Sequence, residues 1–227
     1  MKRFCLLPVI LFVLINGCNK TDNVINTKPS EWHVIYSQPN AGFNSLYFTG
    51  HDTGYAVGSV IDNEGVFFHG IINKATDGGQ HWNYLASGTN CQLYSIYSTD
   101  NQTGYTVGYW NEENDLHGII LKTTDGGSNW DSIPYPGQVL LSSVTFTTAD
   151  VGYALGANSI LKTTDAGHIW ETIFTYPYRG LTSFSFIKNS PSGFVVGQDG
   201  TILKTVDAGV TWTDLSDHKF STLWSVF

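Results

Sequence analysis

Positive charge is scarce in this 227-residue sequence. Lysine and arginine together number 11 against 19 acidic residues, which gives a net charge of −8 at pH 7. The only arginines are Arg3 and Arg179. Because a nucleic-acid backbone repels a protein with this charge balance, we expect no nucleic-acid partner.

Long hydrophobic runs are also lacking. The longest apolar run, residues 4–15, follows Lys2 and Arg3 and is too short to cross a bilayer as a helix. This arrangement is typical of a signal peptide, which we place at residues 1–17. The polar stretch over residues 18–30 has no periodicity, and we interpret it as a tether.

The end of the apolar run resembles a bacterial lipobox. It reads Leu14-Ile15-Asn16-Gly17-Cys18, and it departs from the usual pattern only at Asn16. The resemblance implies lipidation of Cys18 and a membrane anchor for an exported protein, periplasmic or on the cell surface. The alternative is an ordinary secretory signal with a chance cysteine. Because Cys5 would be removed and Cys18 acylated, Cys91 remains alone, and we expect no internal disulfide.

Glycine and aromatic residues are abundant and favour an all-β protein. The chain holds 24 glycines and 14% aromatic residues but a single methionine. Glycines mark turns, aromatic side chains favour strands, and no stretch keeps a helical period. With 41% hydrophobic residues the chain can bury a core.

Four copies of one pattern follow one another along the chain. Each copy has a Gly-aromatic-x-aliphatic-Gly run and then a Lys-x-x-Asp-x-Gly-x-x-Trp run. The Gly runs begin at Gly54, Gly104, Gly152 and Gly193, and the aspartates are Asp77, Asp125, Asp165 and Asp207. Repeats of 40 to 48 residues are typical of propellers.

A serine follows each tryptophan of the pattern by 13 residues and opens a short β-like run. The same spacing joins Trp32 to Ser45 and Trp212 to Ser225. Each repeat therefore predicts four strands, a to d, in blades at about 45–90, 95–138, 143–178 and 183–220. Partial strands are expected at 31–38 and 222–227.

The predicted fold is an all-β propeller over residues 31–227, with four complete antiparallel four-stranded blades and flanking partial strands. Four blades with an unfinished fifth indicate a fragment of a larger ring. Otherwise an open sheet edge would stay exposed.

The aspartate run resembles the Asp-box, also called the bacterial neuraminidase repeat. The copy at 205–212 matches Ser/Thr-x-Asp-x-Gly-x-Thr-Trp throughout, whereas the first copy has Ala75 and His81 in place of hydroxyl residues. Together with the Gly-aromatic runs, the four copies look most like the photosystem II assembly-factor-like β-propeller family. The resemblance spans about residues 31–227, and it implies a fold and a protein-assembly role without assigning a pathway.

Residues that recur in every blade are expected to serve the scaffold. The aspartates can accept backbone N–H groups and hold the c–d turns. The tryptophans can pack between blades, and the lysines can serve the scaffold or a solvated face. The tryptophans are Trp82, Trp130, Trp170 and Trp212, and the lysines are Lys74, Lys122, Lys162 and Lys204.

Function should instead reside where the repeat loses its symmetry. The b–c connections of blades one and two are longer, at about residues 59–70 and 109–118, and a d–a connection carries Arg179 beside Tyr176 and Tyr178. These features share one face, and loops on a rigid scaffold commonly bind partners. We therefore predict a partner-binding face with Arg179, Tyr178, Tyr176 and Trp110. Longer hairpins with solvated tips are the alternative.

Catalytic and metal-binding signatures are lacking. The acids of the long connections match no calcium loop, and His69 and His117 occupy equivalent positions without a sure third ligand. These acids are Asp62, Glu64, Glu112, Glu113 and Asp115. We predict no catalytic residue, no metal and no cofactor.

Asp-box propellers also include sialidases and glycosidases. Sialidases resemble one another in gripping a substrate carboxylate with three arginines, and here Arg179 alone remains after signal cleavage. The sequence favours a non-enzymatic envelope lipoprotein that binds a protein partner or scaffolds an assembly. A carbohydrate-binding or glycoside-hydrolase propeller, with a glycan as ligand, is the alternative.

Overall fold

The computed structural model describes residues 34, 36–61, 68–88, 90–112, 115–135, 139–178, 180–216 and 222–227. These residues form sixteen strands in four sheets. Blade one contains β1 (Ala41–Phe48), β2 (Gly54–Ile61), β3 (Phe68–Ala75) and β4 (Asn83–Ala86). Blade two contains β5 (Gln92–Ser98), β6 (Gly104–Glu112), β7 (Asp115–Thr123) and β8 (Asp131–Ser132).

Blade three contains β9 (Leu141–Phe146), β10 (Gly152–Gly156), β11 (Ser159–Thr163) and β12 (Glu171–Thr175). Blade four contains β13 (Leu181–Phe186), β14 (Gly193–Gly197), β15 (Ile202–Thr205) and β16 (Thr213–Asp214), with a 3-10 turn at Gln198–Gly200. In the part of the chain that the structure describes, no helix is long and apolar enough to span a bilayer.

Each sheet is a four-stranded antiparallel meander in chain order. The first strands of consecutive blades, β1, β5, β9 and β13, contact one another in that order, so they lie innermost. The predicted all-β fold with propeller blades is confirmed, and every second strand starts at the first glycine of its motif.

The core lies between blades because alternate side chains of the middle strands face opposite neighbours. Tyr55, Val57 and Ile72 of blade one pack against Leu93 and Leu121 of blade two. Equivalent residues join blades two and three and blades three and four. Each inter-blade layer therefore has apolar side chains at equivalent positions of the repeat.

The long b–c connections of blades one and two are mostly strand. β6 and β7 pair as far as Glu112 opposite Asp115, and β2 and β3 pair as far as Ile61 opposite Phe68. The longer b–c connections predicted at 59–70 and 109–118 thus take the form of extended hairpins in the residues that the structure describes. The added residues continue the antiparallel ladder because their backbone groups find partners there.

The partial strand predicted at residues 222–227 is corrected, because these residues belong to no strand, although they contact blade four. Leu223 N donates to Gly197 O over 3.0 Å, and Val226 N donates to Ser183 Oγ over 3.3 Å. The partial strand expected at 31–38 falls largely outside the described residues, and Tyr36, Ser37 and Gln38 belong to no strand. The predicted signal peptide, Cys18, tether and Trp32 also lie outside them.

Candidate functional site

The two ends of the blades form two different faces. The a–b turns and the Asp-box turns share one side, which we call the Asp-box face. Backbone bonds join these turns within each blade, as from Gly126 N to Gln102 O (2.8 Å) and from Ala166 N to Asp150 O (3.0 Å). The β2–β3, β6–β7, β10–β11 and β14–β15 hairpins and the connections between blades form the opposite side, the loop face.

The Asp-box aspartates accept backbone N–H groups within their own turns. Asp125 Oδ1 accepts Asn129 N at 2.9 Å, and Asp207 Oδ1 accepts Thr211 N at 2.9 Å. In blades two to four a threonine hydroxyl also donates to the aspartate, as from Thr205 Oγ1 at 2.8 Å. Blade one has Ala75 at that position, so this contact is lost there.

Hydrogen bonding lowers the pKa of these carboxyl groups. The backbone N–H of Asn129 is the main cause that lowers the pKa of Asp125 to about 2. The Thr211 hydroxyl, followed by its N–H, lowers the pKa of Asp207 to about 2. A carboxylate held in this way is a poor proton donor near neutral pH, which fits a structural role.

Three of the four repeated tryptophans pack on an aromatic ring of the inner strand of their own blade. Phe48, Phe146 and Phe186 meet Trp82, Trp170 and Trp212 edge to face, with ring centroids 6.1, 5.9 and 6.1 Å apart. Trp212 also contacts Phe174 of blade three at 5.7 Å. The tryptophans thus anchor the Asp-box turn to its blade, and Trp130, Trp170 and Trp212 also pack in or against the clusters between blades, as predicted.

The repeated lysines join consecutive blades. Lys74 Nζ donates to Gly126 O at 2.7 Å, and Lys162 Nζ donates to Ala208 O at 2.8 Å. A tyrosine hydroxyl of the same blade donates to the same carbonyl, as from Tyr55 to Gly126 O at 3.0 Å. Of the two predicted roles, the solvated face is therefore corrected and the scaffold role remains. We call this pair of hydrogen bonds, from a lysine and a tyrosine to one carbonyl of the next blade, the inter-blade clamp. The recurring Tyr and Lys were the sequence signal for it.

Every inner strand carries a β-bulge at the same place. The register shifts between Phe43 and Ser45, and equivalent shifts occur in the other three blades. In blades one, two and four the bulge brings a carbonyl close to the last glycine of the Gly-aromatic motif: a Cβ on Gly58 would lie 1.8 Å from Gly42 O. Close backbone approach therefore requires glycine at this position.

Aromatic side chains cluster at the loop face of blade two. Trp110 stacks on His117 with ring centroids 4.5 Å apart, and Tyr94 stacks on Tyr109 at 5.5 Å. Burial raises the pKa of Tyr94. Trp110 is partly buried against the core between blades one and two, so its ring is held in place. Such rigid aromatic surfaces suit peptide or sugar contacts.

Tyr176 and Tyr178 have different environments. Tyr178 is 68% exposed, whereas Tyr176 is 6% exposed and its hydroxyl lies 3.3 Å from Thr201 Oγ1. The expectation that Tyr176 contacts a partner is therefore corrected, because its side chain belongs to the core between blades three and four. Arg179 lies outside the described residues.

The predicted absence of a metal site was tested only in part. His69 Nδ1 bonds Asn90 Oδ1 at 2.8 Å, and His117 stacks on Trp110. Among the residues that the structure describes, no three His, Cys, Asp or Glu side chains are grouped to hold a metal ion. Of the predicted acids, Asp62, Glu64 and Glu113 fall outside those residues, and the side chains of Glu112 and Asp115 do so too.

A small cavity lies between blades three and four near the Asp-box face. Its volume is about 170 Å³, and its lining is Lys162, Ile173, Ala208, Gly209 and Val210. Small-molecule sites usually measure about 300–1,000 Å³ and combine apolar walls with convergent polar groups. Lys162 already donates to Ala208 O, so this cavity offers little catalytic chemistry.

The repeated turns and the strand order of the sheets together define the class of protein. Four antiparallel four-stranded blades with Asp-box turns on one face constitute an Asp-box β-propeller. Residues 135–220, which contain blades three and four, match the family model of the photosynthesis system II assembly factor YCF48. This match confirms the resemblance that the repeats indicated. No curated protein matches the whole sequence at a significant level.

Solved structures share the fold at low sequence identity. YCF48 bound to a D1 peptide is 20% identical with a TM-score of 0.60, covering 82% of this chain and 57% of that chain. YCF48 from Cyanidioschyzon merolae is 17% identical with a TM-score of 0.57, covering 83% and 61%. An ancestral GH74 enzyme is 13% identical with a TM-score of 0.62, covering 81% and 27%. The chain thus spans about three fifths of the YCF48 structures.

Proposed function

We propose that this protein is a non-enzymatic propeller that binds a protein partner through its loop face. The observation that carries the proposal is the asymmetry of that face on an otherwise repeated scaffold. Blades one and two alone extend their b–c hairpins, and the rigid Trp110–His117 stack lies on one of them. The exposed Tyr178 lies on the same face, and we include the neighbouring Arg179.

Charge and similarity support a protein partner. All lysines that the structure describes lie towards the Asp-box face, at the Asp-box turns or, for Lys188, in the β13–β14 turn. The hairpin end with Glu112 and Asp115 carries acids without a described basic residue, so a neutral or basic partner segment fits best. A structural neighbour, YCF48, has been solved with a D1 peptide, which supports peptide recognition by this fold.

Site-specific photo-crosslinking tests this function. A benzophenone amino acid at position 178 or 110 should give one shared crosslinked protein in the native host. The matched control is the same amino acid at Tyr84, a 55% exposed tyrosine on the outer strand β4. Absence of a product from positions 178 and 110, or the same product from position 84, would overturn the loop-face proposal.

The second candidate is a carbohydrate-binding or glycoside-hydrolase propeller. The GH74 enzyme with a similar fold and the aromatic stack of blade two favour it. A glycosidase needs two carboxyl groups about 5–10 Å apart across a pocket. Glycan-array binding that is lost in Trp110→Ala, or hydrolysis of a β-glucan, would replace the protein-binding proposal.

We also propose that a lipid on Cys18 anchors the protein in the bacterial envelope. The lipobox-like run at residues 14–18 supports it. Cys18→Ser should release the protein from the membrane fraction and abolish incorporation of a palmitate label. Membrane association that survives this substitution would contradict the anchor, and an Asn16→Ala variant with unchanged labelling would show that Asn16 does not hinder acylation.

A further inference from the structure

The β6–β7 hairpin forms a wall above blade three on the loop face. β6 pairs with β7 for four residues beyond Gly108, as far as Glu112 opposite Asp115. In blade three β10 ends at the equivalent glycine, Gly156, and β11 begins at Ser159. At about 3.3 Å per strand residue, the hairpin rises about 13 Å above that turn. Within the described residues, no strand of blade three therefore lies opposite the added part of the hairpin. We call this wall, together with the b–c turn of blade three, the step.

Two stacked tyrosines lie at the foot of the wall. Tyr105 and Val107 of β6 belong to the core between blades two and three. Since alternate residues of a strand share a side, Tyr109 faces blade three as well. The bulge residue of β5, Tyr94, stacks on Tyr109 with ring centroids 5.5 Å apart, and its hydroxyl donates to Gln92 Oε1 at 3.0 Å. Both tyrosines are partly exposed.

The stacked pair is peculiar to blade two. The other bulges have short polar residues at the position of Tyr94, and the other blades have no ring at the position of Tyr109. These residues are Asn44, Ser142 and Thr182 for the first position, and Ser59, Ala157 and Gln198 for the second. Because three blades form without such a pair, the scaffold does not require it.

The floor of the step is a fixed turn. Gly180 N and Leu181 N both donate to Ala157 O, at 2.9 and 3.0 Å. Tyr176 N donates to Asn158 O at 2.7 Å. Because three backbone hydrogen bonds hold this turn, the step is formed before a ligand arrives, and little further ordering of the protein opposes binding.

The charge of the step selects a cation. Residues 59–70 and 109–118, which contain the long hairpins, carry five acids and no lysine or arginine. Two of these acids, Glu112 and Asp115, stand at the end of the wall, and the described lysines lie towards the opposite face. Burial raises the pKa of Tyr94, so its ring is uncharged near neutral pH. Lysine and arginine side chains bind neutral aromatic rings, arginine more often.

We propose that the step binds an extended segment of a protein partner through an arginine or lysine side chain, which lies against the Tyr94–Tyr109 pair beneath the acidic hairpin end. Charge complementarity with the hairpin end and cation–π contact with the rings act together. This inference rests on the proposed loop-face function and adds the chemistry of the segment that is recognised.

The first test leaves the protein unchanged. The full chain is titrated, at about 0.15 M salt, into a fluorescent peptide with two arginines separated by glycine. A second titration uses the same peptide with citrulline, the neutral isostere of arginine. Anisotropy should show saturable binding of the arginine peptide, and the citrulline peptide should bind at least about tenfold more weakly. Equal binding of the two peptides, or no saturable binding, overturns the proposal.

Variants of the protein locate the site. Tyr109→Leu keeps an apolar side chain but removes the ring, so it should weaken binding of the arginine peptide about fivefold, whereas Tyr84→Leu on β4 should not. Glu112→Gln should weaken binding as well, and Asp52→Asn, at an exposed acid of the Asp-box face, is its charge-matched control. Equal effects of a variant and its control overturn the proposal. Binding of cellotetraose that is lost in Tyr109→Leu overturns it too, and assigns the pair to a sugar.

The outcomes separate this inference from the proposed function. If crosslinking from positions 178 and 110 captures a partner but the arginine peptide does not bind, only the inference about the step fails. If the peptide binds and depends on Tyr109 while those positions capture nothing, only the assignment of the partner to positions 178 and 110 fails.

Discussion

Lys122 Nζ lies 2.8 Å from the carbonyl oxygen of Ala166, across the boundary between blades two and three. The Tyr105 hydroxyl donates to the same oxygen at 2.7 Å. Burial lowers the pKa of Lys122 and raises that of Tyr105 to about 12. One turn carbonyl thus receives two donors from the preceding blade, and three boundaries share this clamp.

Removing the clamp lysine should destabilise the propeller. Lys122→Met keeps the apolar stem but loses a charge-assisted hydrogen bond, so we expect unfolding free energy to fall by about 1.5–3 kcal/mol. Lys204→Met is the matched control, because Lys204 meets no such carbonyl in the described part of the chain. Urea denaturation measures both. Equal losses for the two variants would show that the clamp adds no stability.

Replacing Gly108, the last glycine of the Gly-aromatic motif in blade two, should destabilise the protein strongly. Gly108→Ala would place a Cβ 1.8 Å from Gln92 O, and relieving that clash requires the bulge to shift. We expect a loss of about 3 kcal/mol, as for severe overpacking. Gly50→Ala is the control, since a Cβ there meets nothing within 4 Å. Thermal unfolding of both variants tests this, and a near-native Gly108→Ala protein would contradict the close approach.

Acid should weaken the Asp-box turns. The pKa of Asp207 is about 2, below the ordinary value of 3.8. A depressed carboxyl pKa contributes stability above pH 3.8, and that stability is lost as pH falls towards 2. Asp207→Asn should therefore show a shallower loss of unfolding midpoint between pH 4 and pH 2 than the wild type. Asp199→Asn is the charge-matched control, and an identical acid profile for Asp207→Asn would refute the linkage.

Blade one carries a buried amide where its neighbours carry leucine. Asn73 is fully buried, and neither amide atom has a hydrogen-bond partner within the described residues. The equivalent positions are Leu121, Leu161 and Leu203. Because an unpaired buried amide costs about 1–3 kcal/mol, Asn73→Leu should raise the unfolding free energy by about that amount. Leu161→Asn should lower it. A destabilised Asn73→Leu protein would place a partner for the amide outside those residues.

The fold was predictable because its information is local and repeated. Each Gly-aromatic motif marks a second strand, and each Asp-box follows a third strand, so four copies set the strand order without any long-range contact. The spacing from Trp212 to Ser225 predicted a partial strand at residues 222–227, and no strand forms there. The candidate site was predicted less well. Tyr176 was expected on the partner face, yet it packs in the core.

The amino-acid sequence by itself determined the all-β class, the blade count in the described chain and the Asp-box turns, because period and turn chemistry act over a few residues. Only the tertiary structure decided what the repeated lysines, the last glycines and Tyr176 do. Each of these depends on a neighbour in another strand or blade, such as Ala166 for Lys122 or Gln92 for Gly108. The tertiary structure also decided where the few positive charges lie. The described lysines lie towards the Asp-box face, and three of them form clamps between blades.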